Sequence, residues 1–538
     1  MKKRNFDPSN YYKLNNLREK IIREINKHFS LNGKKILEIG TGSGSFSKIL
    51  AKNYSNSYIE SIDTVSAYID NVNNNYKNLS IHIKEAFNVS STYDAVFMVY
   101  SLTELLKNEK LENILKMINN LLLTNGILII ADEFTDDYSA DIDLLGLEIM
   151  KKLGYRYLTY NYFEKEVLKS NFEIFSTIVY DNKQNSVNMH GAKLQIFYEN
   201  MLNEYDNSLK YNSDEIWDSF KNKIKDIGGI RTYNKTRLII LRKKDNIIEK
   251  FNSIKHTPCL YYSLNRIENN IKYFNDLNID NLYFAFPVKT FPNTKILDLF
   301  YKYNFCYDVS NENEKKIVDK YNTLLFYSDP TNKLKKDNSI RINIEGLNSH
   351  FGLSYDGNSY SIYHLHLSIN KDVKTLNKII ETISALDFTE TEYLDIGGSY
   401  DNLNYLQLYM FLKKIRNIVP DNVKIVLEMG SMWFNNTGYL ISSVEFLSKV
   451  NGVNFAFINA SRDLHAKWSV PLCLNMKSGT NDYVICGPTC YENDLFEHIY
   501  NSNVAIGDKL IFKNIEPYSY SFNSSFNGIE KARVIIDE

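Results

Sequence analysis

Between Lys35 and Ile130, short apolar runs alternate strictly with amphipathic runs of helical period. Strict alternation of this kind forces parallel strands, because each crossover helix must return the chain to the same sheet edge. Strands are predicted at Lys35–Ile39, Tyr58–Ile62, Ser80–Ile83, Ala95–Val99 and Gly126–Ile130. Helices are predicted over Phe46–Lys52, 66–76 and 103–122. A leading helix over 9–29 follows from Leu14, Leu17, Ile21, Ile25 and Phe29 at steps of three and four. A further strand pair is expected at Phe172–Val179 and Thr236–Leu241, with a polar, helical insertion over 182–232 placed to cap a site. The expected fold here is a Rossmann-like, doubly wound α/β sheet.

A chain of 538 residues exceeds one ordinary core and suits several domains. A net charge of −1 gives no reason to expect general nucleic-acid or membrane-surface binding. The five cysteines are Cys259, Cys306, Cys473, Cys486 and Cys490, an odd number without zinc-ligand spacing, so no metal site is expected and a reducing cytoplasm is the simplest location. The basic start lacks the apolar core of a secretory signal, and no stretch reads as a membrane span. The charged stretch Lys243-Lys244-Asp245-Asn246 marks a boundary, giving an N-terminal domain over 1–248. Beyond it, alternating elements over 249–455 suit a TIM-type (β/α) barrel, and 456–538 reads as a strand-rich β-domain.

The run Ile36-Leu37-Glu38-Ile39-Gly40-Thr41-Gly42-Ser43-Gly44 carries a strand into a glycine loop and a helix. Glycines there let backbone approach a ligand at the carboxyl edge of the sheet. Asp63, closing the next strand, is placed to accept from two ribose hydroxyls, and Glu85-Ala86 closes the third strand near an adenine position. A dinucleotide fold is the alternative, although the spacing is Gly-x-Gly-x-Gly. With Glu38, Gly40, Gly42 and Gly44, then Asp63, Glu85, the strand Asp94-Ala95-Val96-Phe97 and the run Leu123–Leu128, the region resembles class I methyltransferases that use S-adenosylmethionine. That resemblance implies S-adenosylmethionine as cofactor.

The second half offers, in order, what an aldehyde cofactor needs. Lys289 ends the apolar run Phe284-Ala285-Phe286-Pro287-Val288-Lys289 and would bond the aldehyde; His366 would stack on the ring and Gly397-Gly398 would hold a phosphate. Glu428 would keep the pyridine nitrogen protonated, which makes the ring an electron sink. His364 is read as structural; His190 and Trp433 are given no role. With Gly487-Pro488-Thr489-Cys490 and Phe526-Asn527-Gly528, this half resembles the fold-type III decarboxylases that use pyridoxal 5'-phosphate, the ornithine, diaminopimelate and carboxynorspermidine group. The resemblance implies a homodimer in which Cys490 reaches the second protomer's cofactor, and a phosphate contact from Tyr518. Departures from the pattern are Ser399 for a third glycine, Ser431 for an arginine, and Tyr491 for an acid after the cysteine; Asp494 is kept. They point away from plain ornithine or diaminopimelate as substrate.

Together the two halves imply a bifunctional enzyme. Transfer of a 3-amino-3-carboxypropyl group from S-adenosylmethionine leaves an α-amino acid on an acceptor, which a decarboxylase can convert to an aminopropyl group. This resembles aminopropylation in the biosynthesis of microcin C-like peptide-nucleotide antibiotics, so the expected partner is a small-molecule or peptide-nucleotide acceptor. The alternatives are a methyltransferase joined to an amino-acid decarboxylase of one pathway, and a pair of degenerate ligand-binding modules with a regulatory role.

Overall fold

The computed structural model describes residues 9–66, 75–137, 156, 158–181, 235–245, 247–275, 277–329, 338–347, 349–367 and 371–537, with backbone alone over 9–16 and at 181. The expected cap over 182–232, most of the helix expected at 66–76, and His190 lie outside the described residues. The chain forms two compact units, Met1–Lys244 and Asp245–Glu538. The break falls four residues ahead of the expected one. Asp245 pairs with Arg266, while Ile247 and Phe251 pack on Tyr261 and Tyr439, so this segment is held by the second unit's core.

The first unit is built on strands β1 (Lys35–Ile39), β2 (Tyr58–Asp63), β3 (Leu79–Ile83), β4 (Tyr93–Val99), β5 (Leu122–Asp132), β6 (Phe172–Asp181) and β7 (Lys235–Lys243). Their order is β3-β2-β1-β4-β5-β7-β6. The first five are parallel, and β7 inserts antiparallel between β5 and β6. Period-two alternation divides the apolar side chains between two faces. Leu37, Val96, Met98, Leu128 and Ile130 pack with the helices Leu111–Leu121 and Tyr160–Lys169. Ile36, Phe97, Ile127 and Ile129 pack with Ser9–Asn26 and Ser45–Asn53 on the other face. The helix expected over 103–122 is two pieces, Leu102–Leu105 and Leu111–Leu121, and β5 starts at Leu122, four residues earlier than expected.

The second unit holds a parallel sheet of β9 (Leu282–Pro287), β10 (Cys306–Val309), β11 (Leu325–Tyr327), β12 (Ser339–Arg341), β13 (Ile362–Leu367), β14 (Tyr393–Gly398) and β15 (Lys424–Glu428). The order β11-β10-β9-β15-β14-β13-β12 runs in chain sequence around a barrel whose seam lies between β11 and β12. Seven strands, not the eight of a TIM-type barrel, form it among the described residues, because the strand that precedes β9 in the chain is used elsewhere. That strand, β8 (Cys259–Ser263), pairs with β16 (Gly438–Val450) and with the C-terminal strand β22 (Arg533–Asp537). They join β17 (Val453–Ile458), β18 (Leu472–Cys473), β19 (Ser478–Cys486), β20 (Leu495–Ser502) and β21 (Lys509–Lys513) in one mostly antiparallel, eight-stranded sheet. The β-domain therefore starts at Gly438 and also claims β8. A strand's partner is a long-range matter that local pattern does not encode. No helix among the described residues is long and apolar enough to cross a membrane.

Inside the barrel, alternation builds layers. Ala285, Cys306, Phe326, Ile362 and Val426 pack together as an apolar floor. Two residues further along the same strands stand Asp308, Ser328, His364 and Glu428, with Asp395 opposite His364 in the β13–β14 register. The strands thus carry a polar layer toward their carboxyl ends.

Candidate functional site

In the first unit the glycine loop joins β1 to the helix Ser45–Asn53. Gly40, Gly42 and Gly44 have φ of +87°, +51° and +71°. A Cβ on Gly40 would lie 2.5 Å from the Cβ of Ser101, so close approach and positive φ both demand glycine there. The Gly42 N–H donates to Asp63 Oδ2 at 2.8 Å and the Val65 N–H to Oδ1 at 3.0 Å, so Asp63 ties the loop to the end of β2. Glu38 is buried and accepts from Ser47 at 2.5 Å and Ser61 at 2.7 Å. Burial lifts its carboxyl to about 7 against those two hydroxyls. Glu85 is exposed and Ala86 buried, at the turn after β3. Sequence reasoning missed Asp132 at the end of β5, whose Oδ2 accepts from the Leu102 N–H at 3.0 Å and which burial also lifts to about 7. It missed Ser101 as well. The buried hydroxyls of Ser101 and Thr41 have no hydrogen-bond partner among the described residues, so the loop keeps polar capacity for a ligand such as S-adenosylmethionine.

In the second unit Lys289 lies in the turn Val288–Thr290 that follows β9. Its Nζ is 3.3 Å from Ser328 Oγ and 3.6 Å from Asp308 Oδ2. Ser328 donates to Asp308 at 2.7 Å. Burial pulls the Lys289 ammonium down, but Asp308 and Glu428 outweigh it, and its pKa stands above the ordinary lysine value. Asp308 is lifted to about 6 by burial and by Glu428. Glu428 Oε2 lies 3.1 Å from His366 Nδ1 and 3.3 Å from His364 Nε2. Burial opposes its charge, yet hydrogen bonds from His364 and His366 and the charge of Lys289 hold it ionised, well below the usual carboxylate range. Burial lowers His366 to about 4, so this ring is neutral. His364 is buried too, but Asp395 at 3.5 Å and Glu428 outweigh that burial and raise its pKa above the ordinary histidine value. His364 is therefore part of the charge network and not a bystander.

Gly397 is pressed against this network. A Cβ there would lie 2.5 Å from both Glu428 Oε2 and His366 Nδ1. At Gly398, with φ +115°, a Cβ would fall 1.8 Å from the Leu367 carbonyl oxygen. The Tyr518 hydroxyl accepts from Thr290 Oγ1 at 3.3 Å, beside Lys289. Lys289, His366, Gly397, Gly398, Glu428 and Tyr518 thus converge at one end of the barrel. Cys490 stands apart: it is exposed on a turn, and no described bond links it to this cluster. Asp494 braces that turn, accepting from the Thr489 hydroxyl at 2.7 Å and the Arg462 N–H at 2.6 Å. Trp433 is a core residue whose Nε1 donates to the Met429 carbonyl at 2.7 Å.

The buried Glu428 Oε1 has no hydrogen-bond partner among the described residues. An acceptor ionised and left over in this way suits a protonated ring nitrogen, so the residues fit pyridoxal phosphate. His364, His366 and Glu428 also present ligand atoms within 4.8 Å of one another, a spacing a metal ion could use. Their mutual bonds through Glu428 and the adjoining Lys289 cation favour the organic group. A cavity of about 170 Å³ opens at the seam, walled by Arg341 and His364 among others. Asp308 and Ser328 were missed by sequence reasoning. The signal for Asp308 was an acid inside the apolar run Cys306-Tyr307-Asp308-Val309.

Residues 14–176 match the family model described as a methyltransferase domain. A diaminopimelate decarboxylase of Buchnera aphidicola subsp. Baizongia pistaciae is 24% identical over 387 residues, covering 54% of this chain and 91% of that protein. A carboxyaminopropylagmatine decarboxylase of Synechocystis sp. is 24% identical over 181 residues, covering 30% of this chain and 44% of that protein. Among solved structures, the arginine decarboxylase of Paramecium bursaria Chlorella virus superposes with a TM-score of 0.46 at 17% identity, over 54% of this chain and 98% of that one.

Proposed function

We propose that this chain, a methyltransferase domain joined to a region homologous to diaminopimelate-type decarboxylases, builds an aminopropyl group on an acceptor in two steps. One observation carries the reading: the chain that holds the methyltransferase domain also resembles a decarboxylase named for carboxyaminopropylagmatine. A carboxyaminopropyl group is what alkyl transfer from the γ-carbon of S-adenosylmethionine would leave.

In the first unit, Asp63 and the glycine loop would seat the ribose and the amino-acid moiety, and Glu85-Ala86 would border the adenine. When bound, S-adenosylmethionine supplies a sulfonium whose γ-carbon an acceptor nucleophile can attack, with methylthioadenosine leaving on the electrons of the broken C–S bond. The acceptor's proton passes to solvent or to a carboxylate at the end of β5 such as Asp132.

In the second unit, Lys289 would hold the aldehyde carbon of pyridoxal phosphate, Glu428 its ring nitrogen, His366 its face, and Gly397, Gly398 and Tyr518 its phosphate side. When bound, the cofactor supplies a sink for the electron pair left as carbon dioxide departs. Glu428 keeps that sink open by remaining ionised against a protonated nitrogen, and His364 holds Glu428 ionised. His366, neutral, adds no competing charge at the ring. Asp308 and Ser328 hold Lys289 at the end of β9. Cys490, on its exposed turn, would return a proton in the second protomer of a homodimer.

The test uses the full chain with S-adenosylmethionine, pyridoxal phosphate and candidate polyamine or peptide-nucleotide acceptors, followed by mass spectrometry. The expected product carries an added aminopropyl unit. Lys289→Ala should stop one carbon dioxide heavier and should lose the visible absorbance that the wild type gains with pyridoxal phosphate. A product that is only methylated overturns the two-step reading and leaves a methyltransferase joined to an independent decarboxylase.

A further inference from the structure

Lys371 is a fully buried lysine that none of the roles above uses. Its Nζ donates to the Leu367 carbonyl at 3.1 Å and the Ser399 carbonyl at 2.9 Å, and it stands 4.0 Å from the centroid of the Tyr400 ring. The Leu367 carbonyl ends β13 and the Ser399 carbonyl follows Gly398 at the end of the paired strand β14. A Cβ on Gly398 would lie 2.8 Å from the Lys371 Nζ, so the ammonium sits directly against the glycine backbone. Among the described residues Lys371 has no carboxylate within ion-pair distance. An ammonium has three donors, and two neutral carbonyls use two of them.

A buried cation with only neutral partners is costly, and proteins keep one where an anion joins it. The surroundings sharpen the point. The turn Ser431–Phe434 after Glu428 contributes no cation, while two acids, Asp401 and Glu516, lie on this side of the site. A phosphate placed at Gly397-Gly398 would meet those acids, and with Lys289 taken up by the aldehyde, Lys371 is the buried lysine described there to oppose them. Resting on the pyridoxal phosphate reading above, we propose that Lys371 is the cation that binds the cofactor's phosphate, standing on the opposite side of Gly397-Gly398 from Glu428. Burial pulls the Lys371 ammonium down to about 7, opposed chiefly by Glu428. A phosphate dianion in contact would hold the proton on at neutral pH.

The test titrates wild type and Lys371→Met, as full chains, with pyridoxal 5'-phosphate and separately with pyridoxal, which lacks the phosphate. Visible absorbance reports the bond to Lys289 in each case. A charge-assisted contact predicts that Lys371→Met weakens pyridoxal phosphate about 10- to 100-fold. Pyridoxal affinity should stay within about twofold, and Lys371→Arg should recover most of the phosphate preference. Lys371→Gln keeps a donor for the carbonyls and should give the same split if the methionine variant fails to fold. An equal loss for both ligands makes Lys371 only a brace between two loops and overturns the proposal. Equal, unchanged affinities overturn it as well. A wild type that develops no absorbance with either ligand overturns the cofactor reading itself, and this proposal with it.

Discussion

Glu38 offers a sharp physical prediction, because its burial sets a sign as well as a size. Its carboxyl stands at about 7 in the folded chain against an ordinary value of 4.5, chiefly through burial. Between those two values the folded state binds more protons than the unfolded state, so stability falls as pH rises from about 4.5 to about 7 and is flat above. At about 1.4 kcal/mol per pH unit, the loss reaches a ceiling of about 3 kcal/mol. Glu38→Gln removes the titration and keeps an acceptor for Ser47 and Ser61. The variant should therefore be more stable than wild type at pH 8, by about 1–3 kcal/mol, and similar to it at pH 4.5. Native-state hydrogen exchange on peptides spanning 35–39 and 58–63 reads this locally, and comparison at one pH cancels the intrinsic exchange rates. Protection that is equal at pH 8, or lower in the variant, would refute the argument. It would mean that Glu38 is charged in the fold and stabilised by partners that outweigh its burial.

Two further variants test the barrel site and its neighbouring turn. Gly398→Ala must resolve a Cβ placed 1.8 Å from the Leu367 carbonyl at φ +115°, and should cost about 3 kcal/mol or more in urea unfolding together with most pyridoxal phosphate binding. An unchanged midpoint would show that the turn relaxes freely. Asp494→Ala removes a buried acceptor shared by Thr489 and Arg462, and should cost about 3 kcal/mol, read by urea unfolding. If stability holds and only decarboxylation falls, Asp494 acts on the reaction and is no brace.

Much of the first unit was legible because its signals are local. A strand entering a glycine loop, an acid closing the next strand and period-two apolar runs each arise within a few residues, and β1, β2 and β4 form close to where the pattern puts them. The start of β5 was not legible, since the helical pattern runs to Leu122 and the strand pattern begins at Gly126, and only pairing with β4 gives Leu122–Asn125 to the strand. The same holds for β8. Its apolar run Cys259–Ser263 marks a strand, but not that it would leave the barrel to lie between β16 and β22.

The sequence alone determined which residue types stand in which order: the glycines before Asp63, and Lys289 before His366, Gly397, Glu428 and Cys490. That order suffices to suggest two cofactors, since each residue type is chemically specific to its task. Only the tertiary structure decided what charge those residues carry. Burial and proximity, neither visible along the chain, leave His366 neutral, His364 easier to protonate than an ordinary histidine and Glu428 ionised within one cluster. The fold likewise placed Lys371 against Gly398, a contact between residues 27 positions apart that exists because β13 and β14 run side by side and end together.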